Sequence, residues 1–265
     1  WTWMDEGLNS FCQFLAEQEW QRDYPSGSGP AKSIVDYMKM DKSVQNPIMT
    51  NSESIIRFGD NAYGKPATAL NILRETVMGR ELFDFSFREY AKRWAFKHPT
   101  PSDLFRTMED ASGVDLDWFW RGWFFTTDHV DISLDNVTPF RMDTKNPDIE
   151  KPLAGKAAKE ELEKDITYQN NKRDLPTTAV ERNKELEDFY NNYDPNAIVP
   201  SDKKAYDQYM TGLGEKEKAF IAKGLHFYQL DFSNKGGLVM PLIIQFNLED
   251  GTKEVKKIPA EIFRL

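Results

Sequence analysis

The sequence predicts an α+β chain, with an aromatic-rich helical part followed by a β-rich part that carries a charged helical insertion. Three observations lead there. Apolar residues recur at helical spacing through the first 125 residues. From residue 128 the pattern changes to strict alternation, which returns from residue 225. Between these two stretches, residues 141–222 are polar and helix-prone, as in "KAAKEELEK" and "ERNKELEDFYNNY". The expected organisation is residues 1–125 as a helical domain and 126–265 as a β-rich region, with a peripheral helical insertion over about 141–222.

The helices can be justified in turn. Residues 5–20 place Leu8, Phe11, Cys12 and Leu15 at i, i+3, i+4 and i+7, with Asp5 and Glu6 at the positive end of the helix dipole. "DYPSGSGP" then breaks the chain. Residues 31–58 read as helix and loop. A new helix should begin near Pro66, because proline suits the first helical position, and stop at Gly79. Residues 81–96 form the next. Thr100-Pro101-Ser102-Asp103 is a capping sequence, and the helix it starts should end at Gly113. Asp115 should cap the short aromatic helix "LDWFWRGWFF".

The strands follow. "HVDISLDNV" and "LHFYQLDF" alternate, and "LVMPLIIQFNL" continues as strand. Asp250-Gly251 signals a hairpin turn leading into "KEVKKIPAEIF".

Composition narrows the function classes. The 265 residues are 40% hydrophobic and 13% aromatic, enough for a sizeable core. A net charge of −9 argues against a general nucleic-acid binder, which needs clustered Lys and Arg against phosphates. No apolar stretch approaches the ~20 residues that span a bilayer. The single cysteine, Cys12, excludes an internal disulfide and reads as a core thiol on the helical stripe. Trp1 and Trp3 read as interior residues.

The residues by themselves contain no complete reactive constellation. There is no nucleophile elbow. "GSGP" lacks the strand–loop–helix setting of a phosphate loop. His98, His129 and His226 form no H-x-x-x-H and read as structural or exposed. Spacing places Glu6 opposite the apolar stripe, as a solvated first-turn acid. Tyr63, before a helix start, reads as a packing aromatic.

Three segments in order give a more specific signal. "WTWMDEGLNSFCQFLAEQEW" resembles the stretch of aminopeptidase N family zinc peptidases (gluzincins) that carries a W-x-x-E-G sequence. "AYGKPATALNILRETVMGRELF" resembles the family's Tyr-x-Lys-Gly helix start, with Pro66 in place of the glycine. "PTPSDLFRTMEDASGVDLDWFWRGWFFTTDHVDISLDNV" is similar to the family's closing helices and the strand after them. Asp5 stands where asparagine is common. The matches span residues 1–138; the rest resembles, less distinctly, the tail of a bacterial branch.

The resemblance implies that residues 1–125 are the helical C-terminal half of a thermolysin-like catalytic domain. It implies Glu6 as a zinc ligand and Tyr63 as a donor to the oxyanion. The zinc-binding H-E-x-x-H is expected upstream of residue 1. The piece by itself is then expected to be inactive and to hold no zinc tightly, while the parent would release N-terminal residues from peptide substrates. A non-catalytic gluzincin-like scaffold and an epoxide hydrolase of the same family are the rival readings. An exported location, periplasmic or cell-envelope, would suit a bacterial parent. Glu6 and Tyr63 should face one concave space, on the order of 5–10 Å apart, to admit a metal and a carbonyl.

Overall fold

A computed structural model describes residues 1–175 and 177–263, so Pro176, Arg264 and Leu265 lie outside the described residues. Helices and antiparallel strands both occur, as an α+β chain requires. The chain forms two compact units. One comprises Trp1–Asp135 and Phe232–Leu265; the other comprises Asn136–Asp231. The region 126–265 is therefore divided between them.

The first unit holds α1 (Glu6–Trp20), α2 (Val35–Met38), α3 (Lys65–Ile72), α4 (Arg80–Trp94), α5 (Pro101–Ser112) and α6 (Asp117–Phe125). Each boundary has a local cause. Thr100 and Asp103 form the expected capping box at the start of α5, and Gly113 ends it in the left-handed conformation at φ 70°. Gly79, at φ 83°, separates α4 from the segment before it. α4 and α5 pack together as a helical hairpin, and α1 packs on α3. Their shared core is aromatic. Phe11 packs edge-on against Phe83 and Phe87. Phe105 stacks on Trp120 at 4.5 Å, and Trp3 meets Phe124 at 4.8 Å. Trp3 is thus interior, as expected, whereas Trp1 is 60% exposed.

Two stretches depart from a plain α-helix. Gly59–Gly64 and Leu73–Met78 are π-helical and bracket α3. Tyr63 therefore lies inside a helical turn, not in front of one. The expected helix from Pro66 to Gly79 is realised as α3 followed by the second π segment.

Cys12 corrects the expectation of a core thiol: it lies on the exposed side of α1. The buried line of α1 runs through Gly7 and Phe11, which turns position 12 about 100° away from the core. Burial by neighbouring groups still holds its thiol above the ordinary value, so it is not an activated nucleophile.

The strands are β1 (Ile132–Arg141), β2 (His226–Asn234), β3 (Leu242–Asn247) and β4 (Lys253–Ile258). β1 neighbours β2 in one two-stranded sheet, and β3 pairs antiparallel with β4 in another. The β3–β4 register runs from Leu242 opposite Ile258 to Asn247 opposite Lys253, closed by the expected turn with Gly251 at φ 82°.

The second unit adds α7 (Pro147–Lys164), α8 (Ile166–Asp174), α9 (Ala179–Arg182), α10 (Pro200–Thr211) and α11 (Glu215–Ile221). Among its described residues only Thr144 and Pro147 are buried. Charge pairs take the place of a core, among them Arg141 with Glu150 and Lys151 with Asp202 at 3.1 Å. The Arg141 guanidinium, together with the hydroxyl and amide of Thr144, holds the Glu150 carboxyl down at about 2.

Candidate functional site at the start of α1

Glu6 opens α1 and Tyr63 occupies the last turn of the first π segment. Both are half-buried. The fold brings their turns together: Ala62 and Pro66, on either side of Tyr63, lie against Gly7, the neighbour of Glu6. The nearby Glu6 carboxylate, then burial, then the charges of Glu6 and Asp5 raise the phenol above its ordinary value. The exposed Phe58 ring meets the edge of Tyr63 with centroids 6.1 Å apart.

Three features bring the two turns together. The first is Gly7, next to Glu6. A Cβ at this position would lie 2.5 Å from Pro66 Cγ, 2.8 Å from Pro66 Cβ and 3.0 Å from the Ala62 carbonyl oxygen. Only glycine lets α1 approach the Tyr63 turn this closely. The second is Asn61, fully buried, whose Nδ2 donates to the carbonyls of Asn46 at 2.9 Å and Pro47 at 3.0 Å. It ties the π turn to the loop before it. Arg57 clips the outside of the same turn through Asp60 at 2.8 Å.

The third is Lys65, the first residue of α3, which is only 1% exposed. Its Nζ donates to the Thr126 carbonyl at 3.1 Å. Burial, aided by the nearby charge of Lys42 and opposed by Asp128, lowers its amine to about 8. Sequence reasoning met Gly7 and Lys65 only as members of family motifs, without a role of their own, and passed over Asn61. The legible signals were a glycine directly after the acid and a lysine set in the apolar run "KPATAL".

The histidines do not converge with Glu6 in any three-residue group. His98 is an exposed loop residue, His129 bridges to Gly237, and His226 starts β2 at the surface. Among the described residues, the group of three acidic, His or Cys side chains close enough to share a cation is Glu109, Asp115 and Asp117. It excludes both Glu6 and Tyr63. Its members have structural duties: Glu109 accepts from the Leu116 amide at 2.8 Å, and Asp115 from the Asp117 amide at 3.1 Å. A tight zinc site takes three protein ligands, so the single carboxylate of Glu6 does not make one by itself. It fits one ligand position, with an adjacent neutral hydroxyl donor.

Comparison with known proteins bears on the same segment. Residues 1–123 match the Peptidase family M1 domain. Glutamyl aminopeptidase of Sus scrofa is 30% identical over 124 residues, which cover 43% of this chain and 13% of that protein. Glutamyl aminopeptidase of Bos taurus is 26% identical over 142 residues, covering 51% of this chain and 15% of that protein. The chain therefore aligns with less than a sixth of the length of these curated relatives, both mammalian. No solved structure gives a significant match.

Proposed function

We propose that residues 1–123, which match the Peptidase family M1 domain, form the substrate-facing half of a zinc aminopeptidase site. In this reading the thermolysin-like catalytic domain is completed by an H-E-x-x-H helix, which the 265 residues do not contain. Glu6 supplies one ligand position and Tyr63 the oxyanion donor. The observation that supports the reading is the close packing of the turn that bears Tyr63 on the turn that begins with Glu6, through Gly7 against Ala62 and Pro66, across 57 positions of chain.

When bound, zinc would polarise the scissile carbonyl and lower the pKa of a water molecule. The residues of this chain do the rest of their work by position. The Glu6 carboxylate offers oxygen to a cation and lowers its net charge. The Tyr63 phenol stays protonated through the neutral range, because its titration lies above the ordinary phenol value. It therefore keeps a proton available for a hydrogen bond to an oxygen on which negative charge develops. Such a donor stabilises the transition state more than the ground state, since the bond strengthens as the charge grows. Phe58 packs against the phenol ring, with centroids 6.1 Å apart.

The substrate class proposed is peptides with a free N-terminus, from which one residue is released. The 265 residues alone are proposed to be inactive, because they carry neither the His pair nor the general base. Glu6→Ala, made in a longer protein that joins these residues to an H-E-x-x-H helix, tests the reading. The expected result is loss of zinc content along with activity on aminoacyl-arylamides. Full zinc content in that variant would refute the ligand role.

A further inference from the structure

Phe96 is a residue that the fold of the first unit gives little reason for. It sits in the turn that joins α4 to α5, and its side chain is fully exposed. The Lys97 amide donates to the Trp94 carbonyl at 3.0 Å, Ala95 lies at φ −52° and ψ 129°, and Phe96 follows at φ 61°. This is the pattern of a type II turn, whose third residue needs a positive φ and is ordinarily glycine or asparagine. A bulky side chain in that region is an outlier. The position thus holds a ring that strains the backbone and is left in water.

The turn itself is held firmly. Trp94 Nε1 donates to Thr107 Oγ1 at 3.1 Å, which pins the end of α4 to α5. Lys97 Nζ donates to the Arg93 carbonyl at 2.7 Å and lies 5.8 Å from the centre of the Trp94 ring. Around Phe96 the charge is of one sign. Between Glu89 and Asp103 the chain carries Lys92, Arg93 and Lys97, all exposed, and no acid. The two flanking acids are engaged, Glu89 with Lys92 at 2.8 Å and Asp103 in the cap of α5. Cations suit the negative pole at the end of α4, which gives them a structural role as well. Phe96 lies outside that role, since glycine would make the same turn without strain.

We propose that the α4–α5 turn is a docking point for an anionic lipid surface: Phe96 enters the headgroup layer, and Lys92, Arg93 and Lys97 meet lipid phosphates. The occupant follows from shape and charge. A stable protein partner needs a patch of ~800 Å² on each side, whereas this is a convex tip with one apolar ring. A bilayer interface accepts such a wedge, and an anionic leaflet attracts the cations around it. The net charge of −9 comes from the rest of the chain and is largely screened beyond ~8 Å at physiological salt. One ring and three cations give weak, reversible attachment. Nothing in this contact depends on Glu6 or Tyr63.

The test is co-sedimentation of the 265-residue chain with large unilamellar vesicles, of phosphatidylcholine alone or mixed with phosphatidylglycerol, at physiological salt. The wild-type chain should bind the mixed vesicles and bind phosphatidylcholine alone at least tenfold less. Phe96→Gly should bind the mixed vesicles about tenfold less than the wild type, as for loss of one buried ring. Its thermal midpoint should not fall, because glycine relieves the positive φ. Should that variant fail to fold, Phe96→Asn, which also tolerates the turn, carries the same outcomes. No binding of the wild-type chain to the mixed vesicles, equal binding to both vesicle types, or full binding by the folded variant overturns the proposal. Retention on immobilised polyglutamate without vesicle binding would point to an acidic protein surface and overturn it as well.

Discussion

Gly7 of α1 lies against Pro66 of α3 so closely that a methyl group on it would sit 2.5 Å from Pro66 Cγ. The neighbours are a rigid ring and a backbone carbonyl, so neither can swing aside. This contact sets the distance between the turn that begins with Glu6 and the turn that contains Tyr63.

Gly7→Ala should therefore destabilise the first unit. Alanine gains up to about 1 kcal/mol in helix propensity, but overpacking of a closed contact costs about 1–3 kcal/mol. A net loss of about 1–2 kcal/mol is expected. All seven tryptophans lie in the first unit, so urea unfolding followed by tryptophan fluorescence reports on it. A variant as stable as the wild type would show that α1 can move away from α3 without cost.

Lys65 gives the stability of the same unit a pH dependence. Its amine titrates at about 8 in the folded chain and near 10.5 when unfolded. Below pH 8 both states are protonated, and the folded state bears the cost of the buried charge. Between these values the unfolded chain holds the extra proton, so stability rises with pH. The gap corresponds to about 3 kcal/mol. Buried Tyr90, pushed up to about 12 by burial, works in the opposite sense above pH 10. Subtracting the Lys65→Met curve from the wild-type curve cancels that contribution. The difference should climb in favour of the wild type from pH 8 to 10.5; a flat difference would contradict the buried charge.

Metal binding by the 265 residues alone should be weak. One carboxylate with a phenol beside it lacks the ligand number that holds zinc. Equilibrium dialysis should find no stoichiometric zinc at micromolar concentration, and Glu6→Ala should leave the background unchanged. One tightly held zinc that disappears in Glu6→Ala would mean that the chain completes the site by itself.

The local signals in the sequence were reliable where one residue decides the backbone. The Thr100–Asp103 box, the stop at Gly113 and the turn at Asp250-Gly251 all follow from capping or from a positive φ. The closeness of the turns that bear Glu6 and Tyr63 was legible only through the resemblance of two segments, since helical spacing alone places Glu6 in solvent. What stayed hidden depends on contacts between distant residues. Nothing local in "GDNAYG" announces a π turn, which exists because Asn61 and Lys65 are held by the loop at 46–47 and by the end of α6. Cys12 was misjudged for a related reason. Apolar periodicity locates a stripe but not its centre, and the centre was fixed by how closely Gly7 lets α3 approach.

The central claim is that Tyr63 acts on the reacting oxygen and does not hold the metal. The measurement that tests it most directly is Tyr63→Phe in a longer protein that carries these residues and an H-E-x-x-H helix, with kcat and zinc content read on the same preparation. The account predicts a fall in kcat of about 10²–10³ with zinc content unchanged, as for loss of one oxyanion donor. Unchanged kcat at full zinc content would contradict it.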